Sequence, residues 1–255
     1  MRKYNGYLID LDGTMYRGTE RIDAASRFVQ TLKEKNIPYL FVTNNSTRTP
    51  EQVAEKLNDF DIPATPEQVF TTSMATANYI YEYKKDATVY FFGEDGLKAA
   101  MEEKGFRFAK EDADVVVVGL DRQVNYEKFA IACLAIRNGA KFISTNADIA
   151  LPSERGFLPG NGSLTALVST STQVQPIFIG KPESIITEQA IKVLGTKKEE
   201  TLMVGDYYQT DIMAGIKAGI DTLLVHTGVT TKEQLKQYEI QPTYSIDSLD
   251  EWKFL

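Results

Sequence analysis

The stretch Tyr7-Leu8-Ile9-Asp10-Leu11-Asp12-Gly13-Thr14 decides the fold, because a short apolar run passes there into a loop of acidic and small residues. Similar runs recur along the chain, between segments with the apolar spacing of helices. Short, wholly apolar runs are typical of parallel strands covered on both faces. The sequence therefore predicts an α/β fold with a Rossmann-like, doubly wound parallel sheet. The further runs assigned to strands are residues 39–42, 89–92, 115–118, 142–143, 177–179, 202–204 and 222–225.

The composition excludes several classes of function. The 255 residues carry a net charge of −7, whereas nucleic-acid-binding proteins present a basic stripe. No apolar stretch is long enough for a signal peptide or a membrane span, so we expect a cytoplasmic protein without a membrane partner. Cys133 is the only cysteine and falls in an apolar helical pattern, which predicts a core position. The only histidine, His226, makes a histidine-rich metal site impossible.

Four polar segments lie at or just after the ends of apolar runs. In chain order they are Asp10-Leu11-Asp12-Gly13-Thr14, Val42-Thr43-Asn44-Asn45, Gly180-Lys181-Pro182, and Gly205-Asp206 with Asp211. Each alone is explained as well by a turn or a helix cap. In open parallel sheets, however, ligands bind beyond the carboxyl ends of the strands. The four segments are therefore expected to meet at one edge of the sheet and to form a site.

In this order the segments resemble the motifs of the haloacid dehalogenase-like hydrolase superfamily, and the resemblance spans the whole chain. Asp10-Leu11-Asp12-Gly13-Thr14 is similar to the first motif, Thr43 to the second, Lys181 to the third, and Asp206 with Asp211 to the fourth. An aspartate at the position of Asp12 is the pattern of the phosphatases and phosphomutases of this superfamily. The dehalogenases, phosphonatases and P-type ATPases carry other residues there.

The spacing of the motifs indicates where a second domain is inserted. Asp12 and Thr43 are only 31 positions apart, but Thr43 and Lys181 are 138 positions apart, and roughly 100 of these exceed what the core needs. We predict a discontinuous core of residues 1–78 and 177–255 and an inserted α/β cap of residues 79–176. A cap there resembles the type IIA group of NagD-like, 4-nitrophenylphosphatase-like and acid sugar phosphatase-like enzymes. A second signature of that group is similar to Thr145-Asn146-Ala147-Asp148, Pro152, Gly156, Pro159-Gly160 and Gly162-Ser163.

Charge predicts a cation in the site. A phosphate monoester is close to a dianion at neutral pH, and four aspartates would repel it unless a divalent cation intervened. Oxygen ligands without histidine or cysteine suit Mg²⁺. The resemblance assigns Mg²⁺ to the carboxylates of Asp10 and Asp206 and the backbone carbonyl of Asp12, with Asp211 supporting the water shell.

The resemblance also implies the reaction, which is hydrolysis of a small phosphate monoester. Asp10 would attack phosphorus and form an aspartyl-phosphate, and Asp12 would protonate the leaving oxygen and then activate water. The residues expected to bind the phosphate are Gly13, Thr43, Asn44, Asn45 and Lys181. Two rival functions remain open: a phosphotransferase or mutase with the same phospho-aspartate, and a non-catalytic protein that binds phospho-metabolites.

The expected substrate class depends on the cap loop. By resemblance, a cap loop with Asn146, Asp148 and Leu151 is expected to set specificity, and its apolar tip offers no cation for a second anionic group. Sugar or acid-sugar monophosphates are favoured, with aryl phosphates as substrates in vitro. A homo-oligomer formed through the cap stays open. Tyr207-Tyr208 depart from the usual pattern beside Asp206, which puts the packing of that loop in question.

Overall fold

The computed structural model describes residues 2–153 and 155–255, which form two compact units. The first unit comprises the segment that ends at Thr43, then Pro50–Phe70, then Lys181–Leu255. The second comprises Asn44–Thr49 and Thr71–Gly180. Neither is continuous in sequence, because the chain crosses between them at both ends of Asn44–Thr49 and again near residues 71 and 180.

Strands and helices alternate along most of the chain. The strands are β1 (Gly6–Ile9), β2 (Tyr16–Arg17), β3 (Glu20–Arg21), β4 (Tyr39–Thr43), β5 (Val69–Thr71), β6 (Thr88–Phe92), β7 (Arg107–Phe108), β8 (Val115–Val118), β9 (Lys141–Ser144), β10 (Ala150–Ser153), β11 (Gly156–Pro159), β12 (Ile177–Phe178), β13 (Thr201–Gly205), β14 (Asp221–Val225) and β15 (Tyr244–Ile246). The helices are α1 (Asp23–Glu34), α2 (Pro50–Asp59), α3 (Thr72–Tyr83), α4 (Asp95–Glu103), α5 (Tyr126–Arg137), α6 (Asn161–Thr172), α7 (Ser184–Leu194), α8 (Met213–Ala218) and α9 (Lys232–Leu235).

The first unit is built on a six-stranded sheet in the order β15-β14-β13-β1-β4-β5. β1 pairs in parallel with both of its neighbours, β13 and β4. The chain leaves β1 through β4 and β5 on one side and returns through β13, β14 and β15 on the other. The sheet is therefore doubly wound, as predicted, and the carboxyl end of β1 lies at the point where the winding changes direction. That is where open α/β sheets bind ligands.

Apolar side chains from α1 and from the C-terminal segment pack in one core against a face of this sheet. On α1, Phe28, Val29 and Leu32 are spaced at three and four residues and are all buried against the sheet. The indole of Trp252 packs edge-on against Tyr7 of β1 and donates a hydrogen bond to the Tyr7 hydroxyl at 3.1 Å. The central strand that precedes Asp10 is thus clamped by residues from both ends of the sequence.

The second unit has its own parallel sheet, in the order β12-β9-β8-β6-β7, and a separate antiparallel hairpin, β10-β11. Its core includes Val116 and Val118 of β8 and Cys133 of α5, which is buried as predicted. The α/β fold class is therefore confirmed for both units. Among the described residues, no helix is long and apolar enough to cross a membrane.

The second unit extends beyond the predicted range of 79–176 at both ends. α3 belongs to it from Thr72 onward, and β12 pairs with β9 rather than with a strand of the six-stranded sheet. An apolar pair such as Ile177-Phe178 indicates a strand but not which sheet the strand joins. The short β2-β3 hairpin, between the segments of Asp12 and Thr43, was also not predicted.

Candidate active site

The register of the central strands places three of the predicted segments at one edge. Ile9 of β1 is level with Phe41 of β4 and with Val204 of β13. Asp10 directly follows β1, and its amide donates a hydrogen bond to the Val204 carbonyl at 2.9 Å. Thr43, the last residue of β4, and Asp206, the first residue after β13, therefore flank Asp10 at the carboxyl edge of the sheet.

Lys181 joins the acidic segments. Its side chain is only 2% exposed, and its Nζ donates to Asp10 Oδ1 at 2.5 Å, to Asp211 Oδ1 at 2.7 Å and to the Val42 carbonyl at 3.0 Å. Three acceptors match the three N–H groups of an ammonium. Lys181 thus fixes the orientation of two carboxylates, in addition to any role toward a ligand.

Asp206 is held by groups from two other segments of the first unit. Thr14 Oγ1 donates to Asp206 Oδ1 at 3.0 Å, and the Val229 amide donates to Oδ2 at 2.8 Å. A β-carbon on Gly13 or on Gly228 would collide with the Asp206 carboxylate. Gly13 also has a φ of +87°, which an L-residue rarely adopts. The two glycines therefore make the room that this carboxylate occupies.

Asp211 lies in a π-helical turn, Tyr208–Ile212, immediately before α8. Its Oδ2 accepts a hydrogen bond from the Tyr207 amide at 3.0 Å, so it also stabilises the start of the turn. Only glycine fits at position 205, because a β-carbon on that residue would collide with the Asp211 side chain. Asp211 therefore both accepts a backbone hydrogen bond at the start of this turn and belongs to the acidic cluster, by which we mean Asp10, Asp206 and Asp211.

The Tyr207-Tyr208 pair is accommodated by packing on one side of this turn. Tyr208 is buried, its amide donates to Thr230 Oγ1 at 2.8 Å, and its hydroxyl donates to the Ile240 carbonyl at 2.6 Å. Its ring stacks on Tyr238 with centroids 3.7 Å apart. Tyr208 thus stabilises the loop after Asp206 through its own contacts with Thr230, Ile240 and Tyr238.

The cluster is short of positive charge. Burial, with the neighbouring Asp211, raises the pKa of Asp10 well above its ordinary value and raises the pKa of Asp206 to about 6. Burial alone would lower the pKa of Lys181, but Asp10 and Asp211 outweigh it and hold that pKa above its ordinary value. One ammonium among three carboxylates leaves a net negative charge in a buried position.

This arrangement fits a divalent cation. Asp10, Asp206 and Asp211 each offer a carboxylate oxygen, and these oxygens lie within 4.8 Å of one another. All three are hard oxygen ligands, which Mg²⁺ and similar cations prefer. A bound cation would supply the charge that the elevated carboxylate pKa values show to be missing.

Asp12 differs from the other acids because it is exposed. Its backbone forms a bridge with Tyr16, and the neighbouring Gly13 amide donates to the Tyr16 carbonyl at 2.8 Å. The loop is thereby closed back on itself, with the Asp12 side chain accessible to solvent. A group that exchanges protons with a ligand and with water needs such access.

Other predicted site residues meet within the second unit. Asn44 Nδ2 donates to both carboxylate oxygens of Asp148, at 3.3 and 3.4 Å. Asn146 Nδ2 donates to the Asn44 carbonyl at 2.8 Å, and its Oδ1 accepts from the Asp148 amide at 3.1 Å. Asn44, Asn146 and Asp148 therefore form one hydrogen-bonded group.

Asn45 and Leu151 have local structural partners. Asn45 Oδ1 accepts hydrogen bonds from the amides of Thr47 and Arg48, both at 3.0 Å, and so shapes the loop after β4. Leu151 lies opposite Leu158 in the β10-β11 hairpin and is half-buried. These contacts are compatible with positioning roles in the segments that carry them.

Some groups of the site were missed from the sequence. Thr14 was noted only as part of its motif, yet its hydroxyl lies between Asp206 and Asp10, at 3.0 and 3.4 Å. The Val42 carbonyl and the Val229 amide are backbone groups, which no residue type signals. Gly228 carries a weak signal, as a glycine after an apolar strand, but its partner is visible only in three dimensions.

A buried lysine holds an aspartate at the switch point of the doubly wound sheet, beside two further acids, and this is the arrangement that the resemblance implied. Comparison with known families agrees. A model described as haloacid dehalogenase-like hydrolase matches residues 7–107, and one described as HAD-hydrolase-like matches residues 178–252. The chain belongs to the haloacid dehalogenase-like hydrolase family.

Similar proteins cover nearly the whole chain. The 5'-nucleotidase YutF of Bacillus subtilis is 68% identical over 252 residues, which are 99% of this chain and 98% of that protein. An acid sugar phosphatase of Staphylococcus epidermidis is 55% identical over 251 residues, 98% of this chain and 97% of its own length. The crystal structure of a double mutant of the thermostable NPPase from Geobacillus stearothermophilus superposes with a TM-score of 0.95 at 69% identity, over 100% of both chains. The protein is thus a phosphoric monoester hydrolase of the NagD-like, type IIA group.

Proposed function

We propose that this protein is a Mg²⁺-dependent phosphatase that hydrolyses small phosphate monoesters through an aspartyl-phosphate on Asp10. The observation that carries the proposal is the position of Asp10, which follows the central strand and is held by Lys181 at 2.5 Å among two further buried acids. A carboxylate so oriented is prepared to act as a nucleophile.

In the first step a carboxylate oxygen of Asp10 forms a bond to phosphorus, and the bond between phosphorus and the ester oxygen breaks. Asp12 gives its proton to that departing oxygen. In the second step a water molecule attacks phosphorus, Asp12 takes the proton from the water, and the bond from Asp10 to phosphorus breaks. The exposed position of Asp12 supports this double role.

The residues that would hold Mg²⁺ are Asp10, Asp206 and the backbone carbonyl of Asp12, with Asp211 in support. Bound there, Mg²⁺ would offset the charge of the phosphate and of the acids. Lys181 donates a hydrogen bond to one carboxylate oxygen of Asp10 and to one of Asp211, and so holds each carboxylate in its own position.

Thr43, Asn44, Gly13 and Lys181 are proposed to bind the phosphate oxygens. Gly13 lies in the same segment as Asp10 and Thr43 ends the neighbouring strand β4, and donors aimed at the equatorial oxygens stabilise charge that shifts during transfer. For Asn45 we propose an indirect contribution, because its side-chain oxygen holds the amides of the following turn.

For the substrate we propose sugar or acid-sugar monophosphates, with nucleoside 5'-monophosphates as the competing class. Relatives named acid sugar phosphatase and 5'-nucleotidase, at 55% and 68% identity, support these two choices. The second unit, residues 79–176 in the predicted division, is proposed to act as the cap, and Leu151 of its hairpin to contribute to selectivity. Leu151→Arg should then reorder the preferred monoesters, and an unchanged order would exclude that role.

The test is a screen of phosphate release from sugar, acid-sugar, nucleoside and aryl monophosphates, with Mg²⁺ and with EDTA. Release should require Mg²⁺ and should be lost in Asp10→Asn, whose amide cannot attack phosphorus, while the circular dichroism spectrum stays unchanged. Peptide mapping after rapid acid quench should find the phosphoryl group on Asp10. Release by a folded Asp10→Asn protein would refute the mechanism.

A further inference from the structure

His226, the only histidine of the chain, has no part in the reaction described above. It begins the segment of residues 226–230, which follows β14 in the first unit and which we name the β14 loop. The residue is half-buried, and both ring nitrogens lie within hydrogen-bond distance of a polar atom. The ring is therefore positioned to connect the β14 loop to another part of the first unit.

The β14 loop contacts the metal-ligand candidate Asp206 along its length. The Val229 amide donates to Asp206 Oδ2 at 2.8 Å, and the Thr230 amide donates to the Asp206 carbonyl at 3.2 Å. Gly228 lies so close that a β-carbon would collide with the carboxylate. The Thr227 hydroxyl donates to the Gly13 carbonyl at 2.7 Å, which ties the loop to the segment of Asp12 as well.

His226 fixes the two ends of this loop to each other and to the sheet. Its amide donates to the Ile246 carbonyl of β15 at 3.0 Å. Its Nδ1 lies 2.9 Å from the Thr230 carbonyl, and its Nε2 lies 2.8 Å from Ser245 Oγ. A carbonyl can only accept, so the contact at Nδ1 is a hydrogen bond when Nδ1 carries the proton, and Nε2 pairs with the Ser245 hydroxyl. The imidazole thus bridges β15 to the far end of the β14 loop.

We propose that His226 is a positioning residue for Asp206. By holding the Thr230 carbonyl, it keeps the β14 loop closed and the Val229 amide on Asp206 Oδ2, so that the carboxylate stays in the position from which it would bind the cation. The inference rests on the proposed function, in which Asp206 binds Mg²⁺. Groups that orient a metal ligand without touching the metal typically change metal affinity by about 10- to 100-fold.

The first test measures the dissociation constant of Mg²⁺ by calorimetry on the full chain. His226→Leu removes both side-chain hydrogen bonds and should weaken Mg²⁺ binding about tenfold. His226→Asn places an amide N–H near the position of Nδ1, so it should restore most of the affinity. Ser26→Ala serves as the matched control, since it removes a hydrogen bond to the Asp61 carbonyl elsewhere in the first unit and should leave Mg²⁺ affinity unchanged.

The second test leaves His226 in place and begins with the parent protein. Because there is one histidine, protein labelled with ¹⁵N-histidine gives a single pair of ring nitrogen signals, which should report the tautomer protonated at Nδ1. Mg²⁺ should shift these signals, and Asp206→Asn should abolish the shift.

The outcomes separate two failures. If Asp206→Asn binds Mg²⁺ like the parent, the proposed metal role of Asp206 is wrong. If Asp206→Asn loses binding while His226→Leu binds like the parent, the positioning role of His226 is wrong. A ring protonated only at Nε2 in the parent protein would overturn the proposal on its own, because Nδ1 could then not donate to the Thr230 carbonyl.

Discussion

Replacing Lys181 by methionine should destabilise the protein strongly, and more at neutral than at acidic pH. The lysine is 2% exposed and donates to two carboxylates and a carbonyl. Methionine has a similar length but no donor, so Asp10 and Asp211 would face each other without a cation between them. Breaking a buried ion pair by removing one partner costs about 3–5 kcal/mol, because the remaining charge stays buried and unpaired.

The pH dependence identifies the cause of this loss. As pH falls, Asp10 takes up a proton and the unpaired charge disappears, so the difference between Lys181→Met and the parent should shrink. Adding Asp211→Asn to Lys181→Met should recover part of the stability at neutral pH for the same reason. Mg²⁺ should also reduce the deficit, since a cation near Asp10 replaces some of the lost positive charge.

Urea unfolding in EDTA at pH 5 and pH 7, followed by the fluorescence of the single tryptophan, measures these differences. Trp252 reports on the first unit, because it is buried against Tyr7 of the central strand. A loss below about 1 kcal/mol at pH 7, or an equal loss at both pH values, would refute the account of Lys181 as the charge that holds the acids together.

Three further predictions concern the same cluster. Asp12→Asn should slow hydrolysis of alkyl phosphates by about 10²- to 10⁴-fold but that of 4-nitrophenyl phosphate far less, since nitrophenolate leaves without a proton; steady-state kinetics giving equal losses would exclude Asp12 as the acid. In metal-free protein the pKa of Asp206 is about 6 against an ordinary 3.8, so the folded state binds the proton more tightly than the unfolded state. Urea unfolding should therefore show about 2 kcal/mol of stability lost as the pH rises from 4 to 6, and stability that stays level or rises across this range would contradict it. Gly13→Ala should weaken Mg²⁺ binding at least about tenfold in calorimetry, because its β-carbon displaces Asp206, and parental affinity would contradict the close contact.

The central strands of both sheets could be predicted from sequence because each is a short apolar run. The edge strand β15 could not, since Tyr244-Ser245-Ile246 mixes polar and apolar residues as loops do. The edge strand β5 was missed because it is only three residues long. The hairpins β2-β3 and β10-β11 were not predicted because their strands also mix polar and apolar residues. An edge strand is stabilised by its neighbour more than by its own composition, so its sequence carries less information.

Side chains of the site were predictable where a charged residue directly follows an apolar run in a characteristic order. Asp10, Lys181 and Asp206 follow apolar runs in a specific order, and the structure brings them together. The bond between Lys181 and the Val42 carbonyl was not predictable, because every residue has a carbonyl and only the fold selects one. The same holds for the group formed by Asn44, Asn146 and Asp148, since neither side chain nor spacing indicates the pairing.

The central position of β1 has a consequence for synthesis on the ribosome. Gly6 pairs with Thr201, so one edge of β1 stays unpaired until a strand almost 200 residues further along the chain has been translated. Thr71–Gly180 of the second unit is complete before that strand emerges. Domains generally fold as they leave the ribosome, so the second unit should form first, beside a half-built sheet with an open edge. A product that stops before Thr201 would expose that edge and should aggregate.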